Sequence, residues 1–244
     1  MDSLGRFRIG IAYGLLLGLV LMCMSPPASS NDASDSSNSC RLVILGASYA
    51  KNWPIQQLDF FKIVNRGIGG NQSFEMADRF ESDVIALDPD GVIIWGFIND
   101  IFRADPSQMN AVKARIVASY KQMLAVAHEN DISVILATEV SIREPAGITN
   151  WLAGIAGKLM GKTSYQTVIN GHVSDVNRML LSLARSEDID IFDFQTVLSG
   201  QDGHRLEAYA EEDGSHLSMA AYDALKRYSQ ESLALPCGNR DNQQ

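Results

Sequence analysis

Four short segments of this chain hold residue types that can act together on an ester. Gly46-Ala47-Ser48 follows an apolar run, and Asn65 to Gly70 is a glycine-rich stretch. Phe97-Ile98-Asn99-Asp100 follows a second apolar run, and Asp213-Gly214-Ser215-His216 stands near the C-terminus. A serine hydroxyl is too weakly acidic to attack a carbonyl unaided and needs an imidazole to take its proton. The imidazole in turn needs an acceptor on its other nitrogen. Asp213 and His216, three positions apart, can supply both from one turn, leaving Ser48 as nucleophile. The backbone N–H groups of Ser48 and Gly70 and the side-chain amide of Asn99 are candidate donors to the developing oxyanion. Taken singly, each segment has a plainer reading: a helix-capping serine, a Gly-Gly turn, Asn-Asp turn chemistry, an aspartate capping a turn beside a surface histidine. Their joint occurrence in this order carries the weight.

These residues need a scaffold that brings distant loops to one place. Runs rich in Val, Ile and Leu predict strands at Leu42–Leu45, Lys62–Val64, Val92–Trp95, Ser133–Ala137 and Ile189–Phe192, each apolar enough to be buried on both faces. Helical patterns between them cover Ser73–Ala86, Ser107–Glu129, Gly171–Arg185 and Ser218–Leu233. Pro106 lies close to the start of the second, where its missing N–H costs little. The alternation predicts an α/β fold with a central parallel sheet and helices on both faces. Between Ser141 and Asn170 a segment falls outside the alternation, with Trp151, Leu152, Ile155 and Leu159 on one helical face. It follows the C-terminal end of a strand, where open α/β sheets bind ligands. It reads as a lid or pocket wall, or equally as a helix docked on the core.

In order and context, the four segments resemble the blocks of the SGNH (GDSL-type) hydrolase superfamily over roughly Arg41 to Leu235. The resemblance implies a flavodoxin-like three-layer α/β/α sandwich. It implies Ser48, Asp213 and His216 as the triad and Ser48, Gly70 and Asn99 as the oxyanion hole. No metal and no cofactor are implied. Two positions depart from the family pattern: G-D-S is Gly46-Ala47-Ser48, and G-x-N-D is Phe97-Ile98-Asn99-Asp100. The first removes a carboxylate that helps order the turn, and the second puts Phe97 where it would narrow or reshape the pocket. Phe97, Trp151 and His172 are the expected substrate-binding residues. His204 and His128 read as surface and helix-end histidines. The implied activity is a serine esterase acting on an acetylated glycan or an acyl lipid. An O-acyltransferase, or a non-catalytic carbohydrate- or lipid-binding module on the same fold, is the alternative.

The remaining features bound the setting. The chain has 244 residues and a net charge of −9, which argues against a nucleic-acid or anionic-membrane surface as main partner; the substrate, a small-molecule, glycan or lipid ester, is what the family resemblance implies. Arg6 and Arg8 precede an apolar stretch from Ile9 to Met24, followed by small residues suited to cleavage after Ser30. Residues 1–30 therefore read as a signal peptide, or as a membrane anchor if retained, and 31–39 as a flexible tether. Either way the hydrolase-like domain, 40–237, is expected in the periplasm or outside the cell, with a tail over 238–244. Cys40 and Cys237 remain after the leader and lie at one end of the expected sheet, so they predict a disulfide.

Overall fold

The apolar runs form strands, and the strands form one sheet. The computed structural model describes residues 40–143 and 164–236. Its strands are β1 (Arg41–Gly46), β2 (Gln57–Leu58), β3 (Phe61–Gly67), β4 (Gly91–Trp95), β5 (Ser133–Ala137) and β6 (Asp190–Phe192). The sheet order is β2-β3-β1-β4-β5-β6, parallel except for β2, which pairs antiparallel with β3. Without β2 this is the flavodoxin-like order. Chain connections leave β1 toward one side of the sheet and β3 toward the other, so a crevice opens above the C-terminal ends of β1, β3 and β4. Ser48, Gly70 and Asn99 follow those three strands.

The period-2 alternation of each strand feeds two cores. Val43, Leu45, Val92, Ile94 and Leu136 face one way, against α2 (Ser73–Asp78), α3 (Phe80–Asp83), α4 (Ile98–Phe102), α5 (Met109–Glu129) and α6 (Tyr165–Ser186). Leu42, Ile44, Ile93, Trp95 and Ile135 face the other, against α1 (Ser48–Asn52), α7 (Phe194–Val197) and α8 (Met219–Ser232). Burial on both faces is why these strands read as continuous apolar runs.

Several boundaries differ from expectation. The helix expected over Ser73–Ala86 is broken into α2, α3 and a 3-10 turn at Ile85–Leu87. The break falls at Arg79, whose guanidinium turns back to donate to Asn71 Oδ1 and to the carbonyls of Arg66 and Gly46. The helix expected from Gly171 starts six residues earlier, at Tyr165, capped by Ser164 Oγ accepting the Thr167 N–H at 3.2 Å. The two-residue β2 was not expected, being too short to show a periodicity. The leader, the tether, the tail and the lid-like segment with Trp151 lie outside the described residues, as does Cys237. Among the described residues no helix is long and apolar enough to cross a membrane.

Candidate active site

Ser48 stands where β1 turns into α1. The turn is tight: a Cβ on Gly46 would lie 2.3 Å from the Trp95 carbonyl oxygen and 2.5 Å from Ala50 Cβ, so only glycine fits. Ala47 is buried, and its N–H donates to the Trp95 carbonyl at 3.3 Å. The order that a carboxylate at position 47 would lend comes from elsewhere. Arg79 Nη2 donates to the Gly46 carbonyl at 3.0 Å, and Asn65 Nδ2 to the Ala50 carbonyl at 2.7 Å. As the first residue of α1, Ser48 has no intrahelical acceptor for its N–H.

The other two oxyanion candidates are tied together. Gly70 has a φ of +83°, a left-handed conformation that favours glycine. Its N–H takes part in no hydrogen bond among the described residues. Asn99 Nδ2 donates to the Asn71 carbonyl at 3.0 Å, joining the loop after β3 to the loop after β4. A primary amide carries two hydrogens, so one remains for an oxyanion. Below it, the fully buried Asp100 accepts from Ser73 N–H at 2.6 Å, Ser73 Oγ at 3.0 Å and Arg115 at 3.2 Å. Burial pushes the Asp100 carboxyl up, and these three bonds oppose the shift.

The Asp213–His216 turn is organised by the aspartate itself. Asp213 Oδ1 accepts the N–H groups of Ser215 at 2.8 Å and His216 at 2.9 Å, while Oδ2 bonds His216 Nδ1. Burial pushes this carboxyl up, but the bonds from His216 and Ser215 outweigh it and hold it at about 2. The group is therefore an ionised acceptor at neutral pH. Nδ1 carries the hydrogen, and Nε2 is left to accept a proton from a hydroxyl.

Two residues that sequence reasoning passed over hold this turn in place. Arg205 is fully buried and donates to the carbonyls of Gly214, Ser215 and His216. The Tyr49 hydroxyl donates to the Ser215 carbonyl at 2.6 Å, and Tyr222 donates to the Tyr49 carbonyl at 3.0 Å. The residue after Ser48 thus binds the residue before His216. Among the described residues no hydrogen bond joins Ser48 to His216; such bonds often tighten only when substrate is present. Arg205 left no sequence signal, since its partners are backbone carbonyls of a later turn. Tyr49, an aromatic in a turn beside the serine, was a visible clue.

Other expected site residues lie elsewhere. Phe97 does not line a pocket: it is 0% exposed and packs in the core with Ile98 and Ile101, because its side chain points under the loop. His172 lies on α6 beside Lys113 and Asp175. Burial and then the Lys113 ammonium lower its pKa, and Asp175 opposes them. His204 is exposed and borders a cavity of about 780 Å³ between α6 and the loop after α7, whose lining contains none of Ser48, Asn99 and His216. His128 is in the last turn of α5.

A sheet of this order, with a serine, a glycine and an asparagine after three adjacent strands and an Asp–His turn beside them, is the architecture of the SGNH hydrolases. Residues 44–224 match the GDSL-like lipase/acylhydrolase family, and the chain belongs to that family. It is accordingly a hydrolase acting on ester bonds. A comparison with curated protein sequences gives no match. Among solved structures it is similar to a putative lipolytic protein of the G-D-S-L family from Desulfitobacterium hafniense, with 22% identity and TM-score 0.61, covering 80% of this chain and 100% of that one. It is also similar to a putative acylhydrolase from Bacteroides fragilis, with 26% identity and TM-score 0.59, covering 81% and 87%. A third similar structure is an acetyl-xylooligosaccharide esterase from Geobacillus Stearmophilus, with 20% identity and TM-score 0.60, covering 80% and 94%.

Proposed function

We propose that this protein is an exported serine esterase that removes acetyl groups from glycans through Ser48, His216 and Asp213. The observation that carries the reading is the bond from Tyr49 to Ser215, which ties the serine turn to a turn whose imidazole is oriented by an ionised aspartate. In the first step His216 Nε2 takes the Ser48 proton as Oγ attacks the acyl carbonyl. The Ser48 and Gly70 N–H groups and the Asn99 amide receive the oxyanion. Collapse expels the sugar hydroxyl, which leaves with the proton from His216. Water then attacks the acyl-enzyme, with His216 as base, and releases acetate and free serine.

The choice of an acetylated glycan rests on the names of similar structures, an acetyl xylan esterase and an acetyl-xylooligosaccharide esterase. Export rests on the charged and apolar leader. With export we propose a Cys40–Cys237 disulfide. Leu235 reaches Gly91, which pairs with Leu42, so Leu235, two residues before Cys237, lies near the strand end where Cys40 is buried.

The test is hydrolysis of p-nitrophenyl acetate, butyrate and octanoate and of acetylated xylan by wild type and Ser48→Ala. Wild type is expected to prefer acetate and to release acetate from xylan. The variant is expected to lose roughly 10³-fold or more in kcat and to escape labelling by a fluorophosphonate. Equal labelling of the two proteins would remove Ser48 from its role. A preference for octanoate would exchange the glycan for a lipid ester.

A further inference from the structure

Glu139 lies two residues past β5 and is 1% exposed, yet nothing in the reaction above uses it. Its backbone is pinned from both sides: its N–H donates to Asn177 Oδ1 at 3.0 Å, and its carbonyl accepts from Asn177 Nδ2 at 2.8 Å. From that fixed base the carboxyl reaches the loop after β4. Oε1 accepts the N–H of Phe97 at 2.9 Å and, more weakly, the N–H of Ile98 at 3.4 Å. These two residues lead directly into Asn99. The other oxygen, Oε2, is buried with no hydrogen-bond partner among the described residues.

We propose that Glu139 is a positioning residue for the oxyanion hole: its carboxyl anchors the Phe97–Ile98 backbone and so sets where the free amide hydrogen of Asn99 points. The proposal rests on the reading of Asn99 as an oxyanion donor. A loop that presents a donor must be held to within a few tenths of an ångström, because the donor works only at hydrogen-bond distance from the charge that develops. Asn99 itself is held at its side chain by Asn71, and Asp100 by Ser73. Glu139 supplies the third fixed point, on the N-terminal side.

The same carboxyl makes the hole sensitive to pH. Burial pushes it up to about 7, against the N–H bonds of Phe97, Ile98 and Val140, and Asp100 on α4 raises it further. It also acts electrostatically on Tyr49 of α1, Tyr120 of α5 and Tyr222 of α8, and Arg205 acts on Tyr49 and Tyr222 in the opposite sense. All three hydroxyls are held neutral by burial, so Glu139 and Asp100 are the acids that set the local charge. With its proton on, Glu139 offers a neutral carbonyl oxygen to the loop. With its proton off, it puts a negative charge beneath the place where the oxyanion forms and disfavours it.

The test compares Glu139→Gln, Glu139→Ala and Asn99→Ala with wild type on p-nitrophenyl acetate from pH 5 to 9. Glu139→Ala is expected to lower kcat at pH 6 by about 10-fold or more with KM within about twofold, since an oxyanion donor acts in the transition state. Glu139→Gln keeps the acceptor oxygen and is expected to restore kcat at pH 6 to within about threefold. Above pH 7 the wild-type kcat is expected to fall by about threefold or more, and the Gln variant, having no proton to lose, is expected to lack that limb. Superimposable pH profiles for wild type and Glu139→Gln, or a wild-type kcat for folded Glu139→Ala, would overturn the proposal. If Glu139→Ala does not fold, the Gln profile alone decides. Unchanged kcat in Asn99→Ala would instead sink the underlying reading of the hole, whatever Glu139 does.

Discussion

Asn99 illustrates how one side chain divides its work. One amide hydrogen holds the Asn71 carbonyl, and in the proposed mechanism the other is left for the oxyanion. Asn99→Ala should therefore lose about 10²–10³ in kcat, the roughly 2.7–4 kcal/mol that one such donor supplies, with little change in KM. Steady-state kinetics on p-nitrophenyl acetate checks this. Asp213 makes a different prediction. Its carboxyl is held at about 2, below the ordinary 3.8, so its folded pKa is depressed. The stability it contributes is present above the unfolded value and is lost as pH falls from 3.8 toward about 2. The difference in melting temperature between wild type and Asp213→Asn should shrink as pH falls through that window. At neutral pH the same variant should lose about 10⁴ in kcat, because the amide favours the wrong tautomer of His216.

The Asp213–His216 turn is an element without regular structure, so its shape must come from outside. Arg205 does this with a buried guanidinium that reaches three successive carbonyls, helped by Tyr49 and by the Arg143 N–H donating to Gly214 at 2.8 Å. Hydrogen bonds to a charged group contribute about 1.5–3 kcal/mol each, and losing them here strands several carbonyls. Arg205→Met should cost at least about 3 kcal/mol in stability by denaturant titration. It should also lower kcat of the folded fraction, as His216 loses its fixed backbone. Arg205→Lys should recover little, since a single ammonium cannot span the fork. Elements also show where sequence reading was sound and where it stopped. The strands other than β2, together with α5 and α8, were legible within a few residues, because two-sided burial and amphipathic faces are written locally. The break at Arg79 was not, because its guanidinium is drawn to the carbonyls of Arg66 and Gly46 at the ends of β3 and β1.

Over the described residues, the two cores on either side of the sheet meet in β1 and β4, and Leu235 lies against Gly91 at the start of β4. A Cys40–Cys237 bridge there would close nearly the entire domain and contribute up to about 5 kcal/mol, chiefly by constraining the unfolded chain. Dithiothreitol should lower the melting temperature of wild type and leave a Cys40→Ala variant unmoved, with the difference read by calorimetry. What the sequence determined alone is what short-range chemistry encodes: the order of the five parallel strands and the longer helices, and the four segments that carry Ser48, Gly70, Asn99 and Asp213–His216. A strand's hydrophobicity and a turn's residue types need no distant partner to be read. The tertiary structure alone decided that Phe97 points into the core, that His172 belongs to the α5–α6 pair of Lys113 and Asp175, that Arg205 and Tyr49 hold the Asp213–His216 turn, and that Glu139 holds the backbone of Phe97 and Ile98. Those roles depend on which loops the sheet order brings together, and a buried polar side chain finds its hydrogen-bond partners across that distance, where no local pattern records them.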